Sequence, residues 1–136
     1  MSIQLTFYTD TGDYKGTARY NDHDYNIIVF DFNRDEANTA TGLTSNVTNW
    51  LSKNLNHIKQ STATELLALK NEEWLEEDEP LITEDTFMDT IELSSVMIFS
   101  DGSFEIYFND NDLFWGHSIK VDVNAQYDFV RADIWG

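Results

Sequence analysis

The stretch Asp112-Leu113-Phe114-Trp115-Gly116-His117-Ser118-Ile119 sets two large aromatics ahead of a glycine and a titratable histidine. Such a grouping can wall a pocket in which His117 acts as acid, base or hydrogen-bond donor. Asp112 or Asp101 would be the orienting carboxylate, so Asp112, Phe114, Trp115 and His117 are the candidate pocket residues. The competing reading is a bulge. Gly116 then takes a backbone conformation closed to other residues, Phe114 and Trp115 fill the core, and His117 satisfies a backbone carbonyl. A lone histidine without a paired nucleophile favours the bulge.

A second segment stands out by charge. From Glu72 to Asp89, nine of 18 residues are acidic and none is basic: Glu72, Glu73, Glu76, Glu77, Asp78, Glu79, Glu84, Asp85 and Asp89. Glu72 to Glu77 fall at the predicted C-terminal end of a helix, where the macrodipole disfavours each anion by about 0.3–1 kcal/mol. Folding alone would prefer Lys or Arg there. These nine carboxylates are therefore the candidate docking surface for a basic protein partner. The plainer reading is a solvated acidic loop.

Other chemistry finds little support. The chain has none of the phosphate-binding, dinucleotide-binding, zinc-protease or serine-nucleophile signatures. His23, His57 and His117 are not spaced as metal ligands, and Asp110-Asn111-Asp112 opens like a calcium loop but lacks the required glycine and closing glutamate. A turn is the better reading there. With no cysteine in 136 residues, disulfides and thiolate sites are excluded. We therefore expect no catalytic residue, no metal and no cofactor. The balance of 25 acidic against eight basic residues, net −17, disfavours nucleic acid and anionic membranes and favours basic partners. The start MSIQLTFYTD has neither the basic opening nor the apolar run of a secretory leader, and no stretch is apolar enough to span a membrane. A cytoplasmic location is the expectation; the oligomeric state is not readable.

The elements that must position these residues follow from periodicity. Alternation at Ile3, Leu5 and Phe7, then Tyr14 to Tyr20 and Tyr25 to Phe32, predicts an N-terminal three-stranded antiparallel meander. Leu43, Val47, Trp50, Leu51, Leu55 and Ile58 recur at helical steps, with Thr41 or Thr44 as cap. Thr62-x-x-Glu65 matches a capping box and predicts a second helix, and Thr83 caps a short turn through Phe87 and Met88. Period two then returns. Val96 and Ile98 lead into an Asp101-Gly102 hairpin, followed by Phe104 to Phe108, His117 to Val123 and Asp128 to Trp135. The expected fold is α+β in one domain, residues 1–136. It comprises the three-stranded meander, two to three helices, and a C-terminal antiparallel four-stranded meander, with the helices packed on the sheet.

Several stretches together carry a family resemblance: Leu67 to Trp74, Ile82 to Phe87, Asp101 to Phe108, Leu113 to Ile119 and Ala132 to Gly136. They resemble the bacterial domain-of-unknown-function family 2262, most specifically in Phe114-Trp115-Gly116-His117-Ser118-Ile119. The resemblance is best over residues 62–136 and loose over the N-terminal meander. It implies a small bacterial domain and supplies no activity. Asn124-Ala125-Gln126 stands where the resemblance leads one to expect a glycine-containing turn.

Small size, acidity and the missing catalytic signatures point first to an immunity or antitoxin-like protein. It would neutralise a basic toxin domain, such as a nuclease, through the acidic face. A general interaction or regulatory domain is the alternative, and a hydrolase using His117 is a weaker third reading.

Overall fold

Residues 3–135 are described by a computed structural model of the chain. Period-two alternation yields seven strands: β1 Thr6–Tyr8, β2 Asp13–Tyr20, β3 His23–Val29, β4 Glu92–Ile98, β5 Phe104–Asn109, β6 Ser118–Val123 and β7 Phe129–Trp135. They pair in chain order as one mixed sheet. Each pairing is antiparallel except β3–β4, which is parallel. The three-plus-four strand grouping is therefore present, but the two meanders are fused along a parallel seam.

Register explains which side chains are buried. Phe7, Tyr14, Val29, Ile98, Phe104, Val123 and Phe129 form one row across all seven strands on the covered face. Ile27, Val96, Ile106, Val121 and Ala132 form the next row, all buried. The intervening positions, including Lys15, Ile28, Met97, Glu105, Asp122 and Arg131, line up on the opposite, uncovered face. There Lys120 and Arg131 pair with Glu105, Asp122 and Asp133 at 2.8–3.7 Å.

One helix, α1 at Ala37–Glu73, covers the apolar face. Its 37 residues span roughly 55 Å at 1.5 Å per residue. Ala40, Thr44, Val47, Leu51, Leu55, Ile58, Thr62, Leu66 and Lys70 make one buried stripe at steps of three and four. Sequence reasoning placed a break between Ile58 and Thr62, and the structure corrects this. The Thr62 hydroxyl donates to the Ile58 carbonyl at 2.7 Å, and Thr44 donates likewise to Ala40 at 2.8 Å. Both threonines are wholly buried inside the helix, and neither caps it. The stripe keeps its phase through the supposed break, so an unbroken helix buries more apolar surface than two short ones. The helix is entered through a 3-10 turn at Arg34–Glu36, where the Asn33 amide donates to Glu36 Oε1 at 2.7 Å. The Tyr14 hydroxyl holds this turn against the sheet, 2.7 and 2.9 Å from the Asn33 and Arg34 carbonyls.

A second helix, α2 at Glu84–Thr90, begins where expected, with Thr83 Oγ1 accepting from the Thr86 amide at 3.2 Å. The Asp101-Gly102 hairpin also forms, closed by the Gly102 amide on the Phe99 carbonyl at 2.9 Å. In the last hairpin, Tyr127 occupies a left-handed position (φ +65°) that glycine would otherwise fill, and the Asn124 side chain accepts from the Gln126 and Asp128 amides. Among the described residues no helix is long and apolar enough to cross a membrane.

The N-terminal segment crosses β2 at Gly16, where a Cβ would stand 2.7 Å from the Gln4 carbonyl oxygen. A Gly16→Ala substitution should therefore push residues 3–8 off the sheet edge. Amide exchange at Thr6–Tyr8 should accelerate at least tenfold while β5 and β6 stay protected. Unchanged exchange in β1 would show that the close approach does not hold this edge.

Candidate functional site

The last turn of α1 is anchored by an unusual charge. Lys70 has no exposed surface, and its ammonium donates to the Trp74 carbonyl at 2.7 Å and reaches both Glu79 carboxylate oxygens at 3.1 Å. Buried charges persist only when paired and hydrogen-bonded, and both conditions are met. Glu79 also accepts from the Glu76 amide at 2.9 Å. That bond and the Lys70 contact hold its carboxyl below the usual carboxylate range. The Asn71 side chain pairs with both backbone groups of Ile82, at 3.0 and 3.1 Å. Residues 74–82 are thus tied back onto the helix as a closed loop.

This geometry corrects the helix-end argument. The helix stops at Glu73 with Trp74 as its cap, so Glu76, Glu77 and Asp78 lie beyond the macrodipole. Lys70 supplies a cation to the terminal carbonyls, and Glu79 is consumed inside the chain rather than presented outward. Glu72, Glu73, Glu76, Glu77, Asp78, Asp85 and Asp89 are exposed, and Glu84 is partly covered. Glu84 and Asp85 sit in the first turn of α2, where the dipole favours them.

The loop between β5 and β6 is organised by Asp110, which is 2% exposed. Its carboxylate accepts from the amides of Asp112 (3.2 Å), Phe114 (2.8 Å) and Gly116 (3.2 Å). These bonds stabilise a strained path: Asn111, Asp112, Trp115 and Gly116 all have φ between +46° and +89°. Phe114 is fully buried against Trp74 and Phe87, with ring centroids 5.7 and 6.1 Å away. His117 Nδ1 lies 2.6 Å from the Phe114 carbonyl, which can only accept, so Nδ1 carries a proton. Trp115 does not fill the core. It is 52% exposed, because its left-handed backbone (φ +58°) turns the indole outward.

The four candidate pocket residues do not form a pocket wall. Phe114 is sealed, Asp112 and Trp115 are on the surface, and the described concavities are lined by other residues. Asp101 cannot orient His117. It lies in the turn before β5, whereas His117 follows that strand's other end, roughly 20 Å away at 3.3 Å per residue. Asp101 accepts instead from the Ser103 amide and hydroxyl.

The structure does bring the two odd segments together. Trp74, at the root of the acidic loop, packs against Trp115 at 4.8 Å and His117 at 5.2 Å. Asn111 donates to the Thr90 carbonyl at 2.6 Å, tying the β5–β6 loop to the end of α2. The result is one corner with an exposed indole beside carboxylates. Leu81, 70% exposed, belongs to the same acidic loop. No Lys or Arg occurs from residue 71 to 119. Sequence reasoning singled out both segments and read Asp110-Asn111-Asp112 as a turn, which it is, but gave no role at the site to Lys70 or Trp74 and did not foresee that the Asp110 carboxylate organises the loop. The basic gap was a readable signal; the burial of a lysine was not.

Comparison with protein families matched residues 3–134 to a model described as "Uncharacterized protein conserved in bacteria (DUF2262)". The chain belongs to this family. The family match takes in the N-terminal meander as well as the region around Trp115. No curated protein and no solved structure matched the chain.

Two outcomes follow from the carboxylates that hold these loops, Asp110 and Glu79. Asp110→Asn places an amide where three N–H donors converge, so it should destabilise by about 1–3 kcal/mol in urea denaturation. The amides of Asp112, Phe114 and Gly116 should lose exchange protection at the same time; an unchanged midpoint would deny Asp110 its organising role. Glu79 has its carboxyl pKa lowered by folding, so its ionised form stabilises the fold above the ordinary carboxylate range. That contribution is lost as pH falls through the lowered value. Glu79→Gln should therefore reduce the melting temperature at pH 7 and flatten its fall towards pH 3. Adding Lys70→Met should recover part of the loss, since no unpaired ammonium is then buried.

Proposed function

We propose that this domain binds and neutralises a basic protein through the corner where Trp115 packs on Trp74, together with the carboxylates of the adjoining loop, as an immunity or antitoxin-like protein. The observation that carries the reading is the indole of Trp115, half exposed and held at positive φ beside an acidic rim. A bulky residue in the left-handed region costs about 1–2 kcal/mol, a cost the Asp110 bonds and the Trp74 contact offset while half of the indole still faces water. Exposed tryptophans are the commonest energetic anchors of protein interfaces, and a charged rim sets encounter rate and partner choice. Glu72, Glu73, Glu76, Glu77 and Asp78 supply that rim, with Asp85 and Asp89 on the neighbouring helix. A nuclease toxin fits this chemistry, because the surface that holds phosphate is basic and an acidic protein competes for it. A cytoplasmic location belongs to the same reading.

The test is to titrate the protein against the products of its neighbouring genes. Trp115→Asn, which tolerates the left-handed backbone, should weaken binding at least about thirtyfold, the ~2 kcal/mol of a hot-spot residue. Glu73→Lys with Glu77→Lys should weaken it strongly and more so at low salt. Asp10→Lys with Asp128→Lys makes the same charge change at the far end of the sheet and should cost much less. Equal losses for the two double variants would leave only diffuse attraction to a polyanion. No binding by the unmutated protein would remove the proposal.

A further inference from the structure

A cleft of about 810 Å³ lies between the polar side of α1 and the β2–β3 hairpin, well away from the Trp115 corner. That volume falls within the roughly 300–1,000 Å³ of small-molecule sites. The helix contributes Ser45, Asn46, Thr48, Asn49 and Ser52, one hydroxyl or amide after another over two turns. The hairpin contributes Thr17, Ala18 and Tyr25, with Arg19 and Asp24 at the edge, and Ile3 adds a second apolar contact.

Two observations point to a ligand. The first is Tyr25, which is 4% exposed yet has no hydrogen bond from its hydroxyl to any described residue. No buried polar side-chain atom among the described residues is sealed without a partner, so this hydroxyl opens into the cleft it lines. Burial pushes the phenol up to about 12, which keeps it a proton donor at any physiological pH. The second observation is charge. In a chain of net −17, the cleft has one carboxylate and one guanidinium, and these already pair with each other at 3.5 Å. The amides of Asn46 and Asn49 are not committed to any described residue, and each offers donors and an acceptor at once.

The chemistry of the lining sorts the ligand classes. A phosphate or carboxylate would have to compete with Asp24 for the one guanidinium, in a chain whose net charge repels it. A cation would have to compete with Arg19 for the one carboxylate. Thr48 and Ser52 already donate to the Ser45 and Asn49 carbonyls, but an apolar molecule would leave the Tyr25 hydroxyl and the Asn46 and Asn49 amides without partners. A neutral molecule with groups that both donate and accept matches these three side chains, and its C–H faces can lie on Ile3 and Ala18. We infer that the cleft binds a neutral polyhydroxylated ligand, a sugar or short oligosaccharide, with Tyr25, Asn46 and Asn49 as its hydrogen-bonding partners. This site is independent of the Trp115 corner, and either could exist without the other.

The probes are maltotriose, cellotriose and tri-N-acetylchitotriose, titrated to 20 mM against the full chain and followed by amide NMR. At least one should shift resonances of residues 17–25 and 45–52 in a saturable way and leave the Trp115 indole signal unmoved. Tyr25→Phe removes only the hydroxyl and should raise the dissociation constant tenfold or more. Asn49→Lys, at an exposed helical position that folding tolerates, should abolish binding. Glucose 6-phosphate serves as the charged comparison and should not bind. The inference is overturned if none of the three neutral sugars shifts the cleft, if glucose 6-phosphate binds there instead, or if both variants bind with unchanged affinity.

Discussion

Burial of the apolar face shared by β1 to β7 falls to a single helix, because α2 has only seven residues and sits beside the end of α1. Seven strands about 4.8 Å apart set their outer members roughly 29 Å from each other, and a helix that crosses such a face obliquely must be long. Hence α1 runs unbroken through Thr62, where local signals favour a stop. Its far end then reaches beyond the strands, and its terminal carbonyls need donors. Lys70 meets that need at the Trp74 carbonyl and is buried by the loop that Glu79 and Asn71 close over it. The Trp74 ring, fixed by this arrangement, is the surface on which Trp115 and His117 pack.

The acidic residues separate into two populations by their partners. Asp110 and Glu79 hold backbone amides or a buried ammonium, and Glu105 and Asp122 share Lys120 and Arg131 on the uncovered face. These belong to the fold. The carboxylates between residues 72 and 89, Glu79 apart, form no ion pair among the described residues, although Lys59 acts on Asp89 from a distance, and the chain supplies no Lys or Arg from 71 to 119. Net charge alone does not distinguish the two populations, whereas geometry does. The second population is the one concentrated in a single loop and the short helix after it, and it adjoins Trp74, the ring on which the outward-facing Trp115 packs.

Much of the strand layout was legible in the sequence because its signals are local. The Asp101-Gly102 turn, the Thr83 cap and the alternation through Phe104, Ile106 and Phe108 all formed as their spacing predicts. What was illegible depends on partners distant in the chain. Thr62-x-x-Glu65 satisfies a capping pattern equally well in mid-helix, and only the phase of the buried stripe decides between the two. Pairing of β3 with β4 leaves no trace in either strand's composition. At the candidate site, Phe114 and Trp115 are adjacent aromatics, and which one enters the core is set by φ angles that Asp110 imposes through three amides. The cleft at Tyr25 arises where a polar helix face meets a hairpin, and neither element signals it alone.

Until β3 meets β4, the sheet does not exist as one object. Every other pairing joins strands linked by short connections, which close at small entropic cost. The seam waits for residues 30–91 to return across the sheet. Before that, the two halves each expose an inner edge rich in β-branched residues, Ile27 to Val29 on one and Val96 to Ile98 on the other. Such edges can recruit a strand from another molecule and are the natural starting point for aggregation. Vectorial synthesis works in the chain's favour here. Because α1 leaves the ribosome ahead of β4, the helix can settle over β2 and β3 while the neighbouring strand is still being made, and the vulnerable interval is shortened to the time needed to translate the remaining strands.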